Sequence, residues 1–275
     1  MLGWGTSDFF AGLSSKKVGH LKTFFWSQLA GLVSALLLLF FLKSSFNTSF
    51  LIFILLIIAS IFYTVAYLLY YQGFELGNIS IISATMNLWA VFTMVFAFLF
   101  LGQRLSSQQT LGASLIVTGI TLAALKWSDF KKQKISLLAG VKETVFSALI
   151  IGLFWNMSQI ISAKIGWIPT TIFVKVGVIL FLSIFSSFTK QPLNLKKINK
   201  QTKFLVILTG ILEAIGIASV NWGLTIGDVI LVSPISSALS IITITMAIIF
   251  AKEKITKTQA LGILVTFAGI ILTAL

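Results

Sequence analysis

The sequence predicts an all-α membrane protein, with ten transmembrane helices in two inverted five-helix repeats. The first ground is composition. Of 275 residues, 57% are hydrophobic and only 10% charged, and the mean hydropathy is +1.04. So few charges could not cover that much apolar surface in water. The second is run length. A helix needs about 20 apolar residues to cross roughly 30 Å of hydrocarbon, whereas barrel strands are about ten residues long and alternate strictly. The third is a repeat: residues 73–125 align with 223–275 at a constant offset of 150 and without a gap.

Cutting the chain at charged or Gly/Asn/Pro-containing breaks gives the spans 1–16, 23–42, 50–71, 79–101, 108–125, 144–163, 168–188, 204–226, 229–251 and 257–275. The first is short. None of the chain reads as a removable signal peptide or soluble appendage. In the repeat, fourteen of fifty-three positions are identical, among them Gly73/Gly223, Gly77/Gly227, Ser83/Ser233, Gln109/Gln259, Gly112/Gly262 and Gly119/Gly269. A weaker match at offset 147 aligns Gly5/Gly152, Lys17/Lys164 and Gly19/Gly166. The expected division is a first repeat over 1–125, a basic connecting loop over 126–143 and a second repeat over 144–275. Five spans per half is an odd number, so the second half enters the membrane from the opposite side. Secondary transporters use this architecture, with the site near the midplane where the halves meet. Duplicated helical bundles also serve as inert scaffolds, which leaves a non-transporting accessory subunit as the alternative.

Composition excludes several functions. With no cysteine there is no disulfide or thiolate site, and with His20 as the only histidine no His-ligated metal centre is expected. The net charge of +13 sits in short loops, where lysines orient spans and contact anionic lipid. Arg104 is the only arginine, which disfavours a nucleic-acid or phosphate-ester site. One His and one Arg are also too few for an enzyme acting on lipid-linked substrates. No P-loop is present, so transport draws on a gradient, exchange or facilitated diffusion, and no charged or carbonyl-rich filter suggests a channel. Trp127 and Trp167 read as interfacial belt residues. Loops after spans 1, 3, 5, 7 and 9 carry sixteen of the twenty basic residues, and the positive-inside rule then puts both termini outside.

Three ionisable residues fall inside spans. An intramembrane charge is costly and needs a partner, water or a proton, so its default reading is functional. Asp8 and Lys175 lie at similar depths from the same face, each about 10 Å into its span at 1.5 Å per residue. Glu213 lies near the midplane. Lys175 can pair with Asp8, reach Glu213, or snorkel to its interface. Glu213 is too deep to snorkel, and its repeat counterpart Tyr63 is uncharged, so it is the strongest candidate for a proton or cation site. Glu213 shares a helical face with Thr209, Gly210, Gly216 and Ile217, and Asp8 with Trp4, Gly5, Ala11 and Gly12. Such small residues leave room for water or ligand, though they are also ordinary helix-packing surface. The other polar candidates are Tyr63 and Tyr67 in span 3, Asn87 and Trp89 in span 4, Trp155, Asn156 and Gln159 in span 6, and Asn221 and Trp222 in span 8. Pro234 is placed to break span 9 and free backbone for a site.

The opening WGTSDFFAGL closely resembles the EamA-type transporters of the drug/metabolite transporter superfamily. So do the two hinge-plus-final-span segments, FLFLGQRLSSQQTLGASLIVTGITL and AIIFAKEKITKTQALGILVTFAGIIL. The family typically carries a glutamate just before the last span of each half. Glu253 keeps it and Gln103 replaces it. The resemblance implies a central cavity lined by spans 1, 3, 4, 6, 8 and 9, hence by the polar candidates together with Asp8 and Glu213. It also implies cytoplasmic termini, against the charge bias. Amides, rings and one acid suit a small polar or amphipathic solute: an amino acid, sugar, vitamin or organic cation. The expected partners are that solute, a coupling proton and membrane lipids, with no nucleic acid, no cofactor and no metal, in a monomer or homodimer. The expected location is a plasma membrane, in a prokaryote given the Lys-rich, Arg-poor composition.

Overall fold

In a computed structural model, residues 1–42, 48–124, 137–195 and 198–274 are described, and these are helical throughout apart from short connections. No β-strand occurs among them. Twelve helices follow in order among the described residues: α1 Leu2–Val18, α2 His20–Leu42, α3 Phe50–Leu76, α4 Ile79–Met86, α5 Leu88–Leu101, α6 Ser107–Ala124, α7 Val141–Ile165, α8 Trp167–Thr189, α9 Lys200–Ile226, α10 Val229–Ser237, α11 Leu239–Ile249 and α12 Lys257–Ala274. Among the described residues, eight helical stretches are long and apolar enough to cross a membrane, counting α4–α5 and α10–α11 each as one. α1 and α6 fall outside that set. α1 has 17 residues, and α6 opens on the polar turn Ser107–Thr110. Each expected span lies on helix. The expected loop over 126–143 is shorter than expected at its end, since α7 starts at Val141 with Gly140 as its N-cap; much of the rest lies outside the described residues.

The connections are set by local chemistry. α1 turns into α2 at Gly19, and α7 into α8 at Gly166, with no loop between. Both glycines have positive φ, +89° and +84°, a region that a β-carbon disfavours. Asn199 caps α9 by accepting from Thr202 N at 2.8 Å. Two helices break in mid-span, α4/α5 at Asn87 and α10/α11 at Ala238. Pro234 lies inside α10, and the break comes one turn later. The Asn87 break has no proline near it, so proline is not required for such a break. Asn87 Nδ2 donates to Ser240 Oγ at 2.8 Å, which brings the two breaks together.

Helices pack in an exchanged pattern: α3 on α7 and α9 on α1, α5 on α7 and α11 on α1, α4 on α11 and α10 on α5, and α3 on α8 and α9 on α2. α6 packs against α12. That crossing is set by the repeat glycines. A β-carbon on Gly119 would lie 2.6 Å from the Gly262 carbonyl oxygen, and one on Gly269 2.6 Å from that of Gly112. Glycines let membrane helices approach to backbone contact. The expected solvent or ligand room beside the two acids is occupied in the same way: Gly210 abuts Ser27, Gly216 lies under the Trp4 ring, Gly5 meets Leu239 and Ile242, and Gly12 meets Ile79. Gly119→Leu is expected to lower stability by about 1–3 kcal/mol through overpacking. Gly223→Ala, in α9 with its nearest neighbour at 3.4 Å, is expected to be neutral or stabilising. Thermal unfolding in detergent distinguishes them.

Candidate functional site

The interior holds two polar centres. The first surrounds Glu213, which is 1% exposed. The Lys175 ammonium forms an ion pair with Glu213 Oε2, and the Tyr63 hydroxyl donates to Glu213 Oε1. Gln28 bridges the pair: its Nε2 donates to Glu213 Oε1 at 3.2 Å, and its Oε1 accepts from Lys175 Nζ at 3.0 Å. All four side chains are buried. They come from α2, α3, α8 and α9, so the cluster ties four helices together. Lys175 therefore neither snorkels nor pairs with Asp8. Gly31 makes room for it, since a β-carbon there would lie 2.9 Å from Nζ.

The second centre surrounds Asp8. A narrow pocket is lined by Trp4, Asp8, Tyr67, Tyr70, Ser83, Met86, Asn87, Trp89, Ile151, Trp155 and Leu239, from α1, α3, α4, α5, α7, α11 and the Asn87 break. It has room for about one water molecule. Tyr70 OH donates to Asp8 Oδ2 at 2.9 Å. The indoles converge here. Trp4 and Trp155 meet edge to face at 6.0 Å between centroids, and Trp89 lies 6.0 Å from Trp155. Trp4 Nε1 is buried without an acceptor. Tyr63 and Tyr67 stack at 4.2 Å, so their rings join the two centres.

Six residues singled out in the sequence thus line one pocket: Trp4, Asp8, Tyr67, Asn87, Trp89 and Trp155. Glu213, Lys175 and Tyr63 form the separate ion-pair cluster. The rest lie away from both. Asn156 Nδ2 donates to the carbonyls of Thr93 (3.1 Å) and Gly152 (2.8 Å), joining α7 to α5. Asn221 takes a bond from Ser158 Oγ at 2.7 Å and donates to Thr171 Oγ1 at 2.9 Å, joining α7, α8 and α9. Trp222 is 56% exposed on the outer surface, because its neighbour Asn221 takes the inward face. Tyr70 and Gln28 were not singled out. Tyr70 was legible in principle, since it lies seven residues after Tyr63 and three after Tyr67, on one helical face. Gln28 signalled itself only as an amide in an apolar span.

Gln159 belongs to a third feature, a pair of clamps. Glu253 accepts from Ile79 N at 2.7 Å, Ser80 N at 2.8 Å and Ser80 Oγ at 2.8 Å, and pairs with Lys16 at 3.4 Å. It caps the start of α4, where a carboxylate meets unpaired N–H groups and the positive helix end. Its repeat counterpart Gln103 caps α10. Gln103 Oε1 accepts from Ile230 N at 3.2 Å, and its Nε2 donates to Asp228 Oδ1 (3.2 Å) and Gln159 Oε1 (3.0 Å). Gln159 Oε1 also accepts from Val229 N at 3.2 Å. The Glu253 clamp sits at the start of the α4–α5 stretch and the Gln103 clamp just beyond its end, so they lie at opposite ends of the bundle.

The family model for the EamA-like transporters matches residues 1–125 and 138–275. The chain belongs to the EamA-like transporter family. This family fits the drug/metabolite transporter superfamily, and with eight apolar spanning stretches it marks an integral, multi-pass membrane protein. No curated protein matches the chain. One solved crystal structure, described only as that of a protein, aligns with a TM-score of 0.70 at 14% identity, covering 98% of this chain and 94% of its own; that likeness shows the fold alone. In this EamA-family chain no group of three or more His, Cys, Asp or Glu that could hold a metal ion occurs among the described residues.

Removing Lys175 from the first centre would strand a buried carboxylate. Lys175→Met is expected to destabilise by about 3–5 kcal/mol. Adding Glu213→Gln should recover most of that loss, measured as thermal unfolding of the purified variants. Equal stability of the single and double variants would contradict the pairing.

Proposed function

We propose that this chain is a secondary-active transporter that moves a small polar or amphipathic metabolite by alternating access. The observation that carries the proposal is the Asp8 pocket, an aromatic cavity with one acid, buried where helices of both sequence repeats meet. In this reading α1 and α6 complete the set of ten spans, as two inverted halves. Three features support the inversion: the exchanged packing pattern, the matched bends at Gly19 and Gly166, and the paired breaks at Asn87 and Ala238. The 14% identical fold relative supports no choice of substrate.

Alternating access requires that each end of the cavity can close. The Glu253 and Gln103 clamps are suited to this, because each joins one half to the other at one end. In this reading, both clamps being fastened and the pocket nearly water-sized, the present form stands for an occluded state. Opening one clamp while the other holds would expose the pocket to one side. Asp8, held by a single tyrosine hydroxyl, is the group we assign to binding the coupling proton or the charged part of the cargo. Glu213 is assigned to structure. The lysine-rich face, which includes Lys16 and Lys252, is assigned to the cytoplasm, and the membrane to the plasma membrane of a prokaryote.

Solute flux into proteoliposomes tests the assignment. Asp8→Asn should cut gradient-driven flux at least about tenfold, a loss of about 1.4 kcal/mol or more, with the protein still folded. A chain that moves no solute of any class would favour the accessory-subunit reading. The clamps are tested on a Ser83→Cys variant, which places the only thiol of a cysteine-free chain in the pocket. Glu253→Ala should raise labelling by an impermeant thiol reagent added on the lysine-rich side, and Gln103→Ala on the other side. Equal effects from one side would refute the two-clamp reading.

A further inference from the structure

The charges buried in the interior do not balance. Asp8, Lys175 and Glu213 are the three ionisable charges recognised inside spans, and all are at least 97% buried, with exposures of 3%, 2% and 1%. Lys175 and Glu213 cancel each other, with Gln28 and Tyr63 satisfying their remaining valences. Neither lines the pocket. No lysine, arginine or histidine lines it either, and Asp8 takes its hydrogen bond from a neutral phenol. One negative charge is therefore left facing the pocket with no counter-charge among the described residues. In so apolar a place a carboxylate is stable only with a proton or a cation beside it.

The walls favour the same sign. Three indoles, Trp4, Trp89 and Trp155, converge on the pocket with Tyr67 and Tyr70. The faces of such rings carry negative potential, which attracts ammonium groups most strongly when water is excluded. An anionic cargo would meet Asp8 and the ring faces with like sign. A neutral cargo would leave Asp8 holding its proton and would gain nothing from the acid's charge. Trp4 contributes a second requirement, since its buried N–H has no acceptor and a buried donor without one is costly.

We infer that the cargo is a slim organic cation, an amine or quaternary ammonium bearing an oxygen acceptor near the charge, bound between Asp8 and the Trp4, Trp89 and Trp155 rings once the pocket widens from its water-sized form. The inference rests on the transporter reading above and narrows its substrate class. In the empty protein a proton takes the place of the cation on Asp8, so one carboxylate serves both in turn.

The test uses matched probes on the purified full chain: choline, and its neutral carbon isostere 3,3-dimethylbutan-1-ol. Choline should quench tryptophan fluorescence saturably and raise the melting temperature, with the isostere at least about tenfold weaker, a factor worth about 1.4 kcal/mol. Asp8→Asn should erase the difference, and Asp8→Glu should keep its direction. Should Asp8→Asn fail to fold, the wild-type comparison and Asp8→Glu decide the matter. Equal binding of the two probes overturns the inference, as does no response to choline, tetramethylammonium or phenethylamine. Flux of cationic, zwitterionic, neutral and anionic solutes in proteoliposomes separates the two levels. Flux of neutral or anionic solutes alone overturns the cation inference and leaves the transporter standing. No flux of any class overturns both.

Discussion

A carboxylate in hydrocarbon needs a partner, and the Glu213–Lys175 pair is where this fold meets that need inside itself. The ion pair, with Gln28 and Tyr63 closing its hydrogen bonds, holds α2, α3, α8 and α9 in one arrangement. A buried pair of this kind need not add net stability over an apolar equivalent, but losing one partner is severe. It therefore acts as a constraint on geometry. With the pair self-contained, α3 is positioned to present Tyr67 and Tyr70 to the pocket, and Asp8 is left as the acid with room beside it.

The pocket, the breaks and the clamps form one connected system. Asn87, at the α4/α5 break, lines the pocket and reaches Ser240 beside the α10/α11 break. The two broken stretches carry the clamped helix starts at their outer ends, with Glu253 on α4 and Gln103 on α10. In the proposed cycle a change at either clamp reaches the pocket through a short helix of eight or nine residues. The asymmetry between a charged clamp and an amide clamp gives the two ends different chemistry on a symmetric scaffold.

Much of this was legible in the sequence. Apolar run lengths located the helices to within a few residues, because crossing lipid dictates length more strictly than packing does. The repeat picked out Gly112, Gly119, Gly262 and Gly269 but not the tight α6–α12 crossing where they meet, while Trp4, Asp8, Tyr67, Asn87, Trp89 and Trp155 were all singled out. The partner of Lys175 was not legible. Depth along a helix allows both Asp8 and Glu213, and only the azimuth of α8 against α9 decides between them. Small residues beside an acid were similarly ambiguous: Gly210 and Gly216 read as room for solvent, yet they are filled by Ser27 and Trp4. The break at Asn87 escaped because no proline marks it, whereas the break expected in span 9 at Pro234 falls one turn later, at Ala238.

The proposed function divides the labour, with Glu213 assigned to holding the bundle and Asp8 to the transport chemistry. The most direct test is flux through the Lys175→Met/Glu213→Gln double variant, reconstituted beside the wild type at matched folded protein. With Asp8 intact, the double variant should keep gradient-driven flux within a few-fold of wild type. Loss of coupled flux from a folded, ligand-binding double variant would contradict it and return the working acid to Glu213.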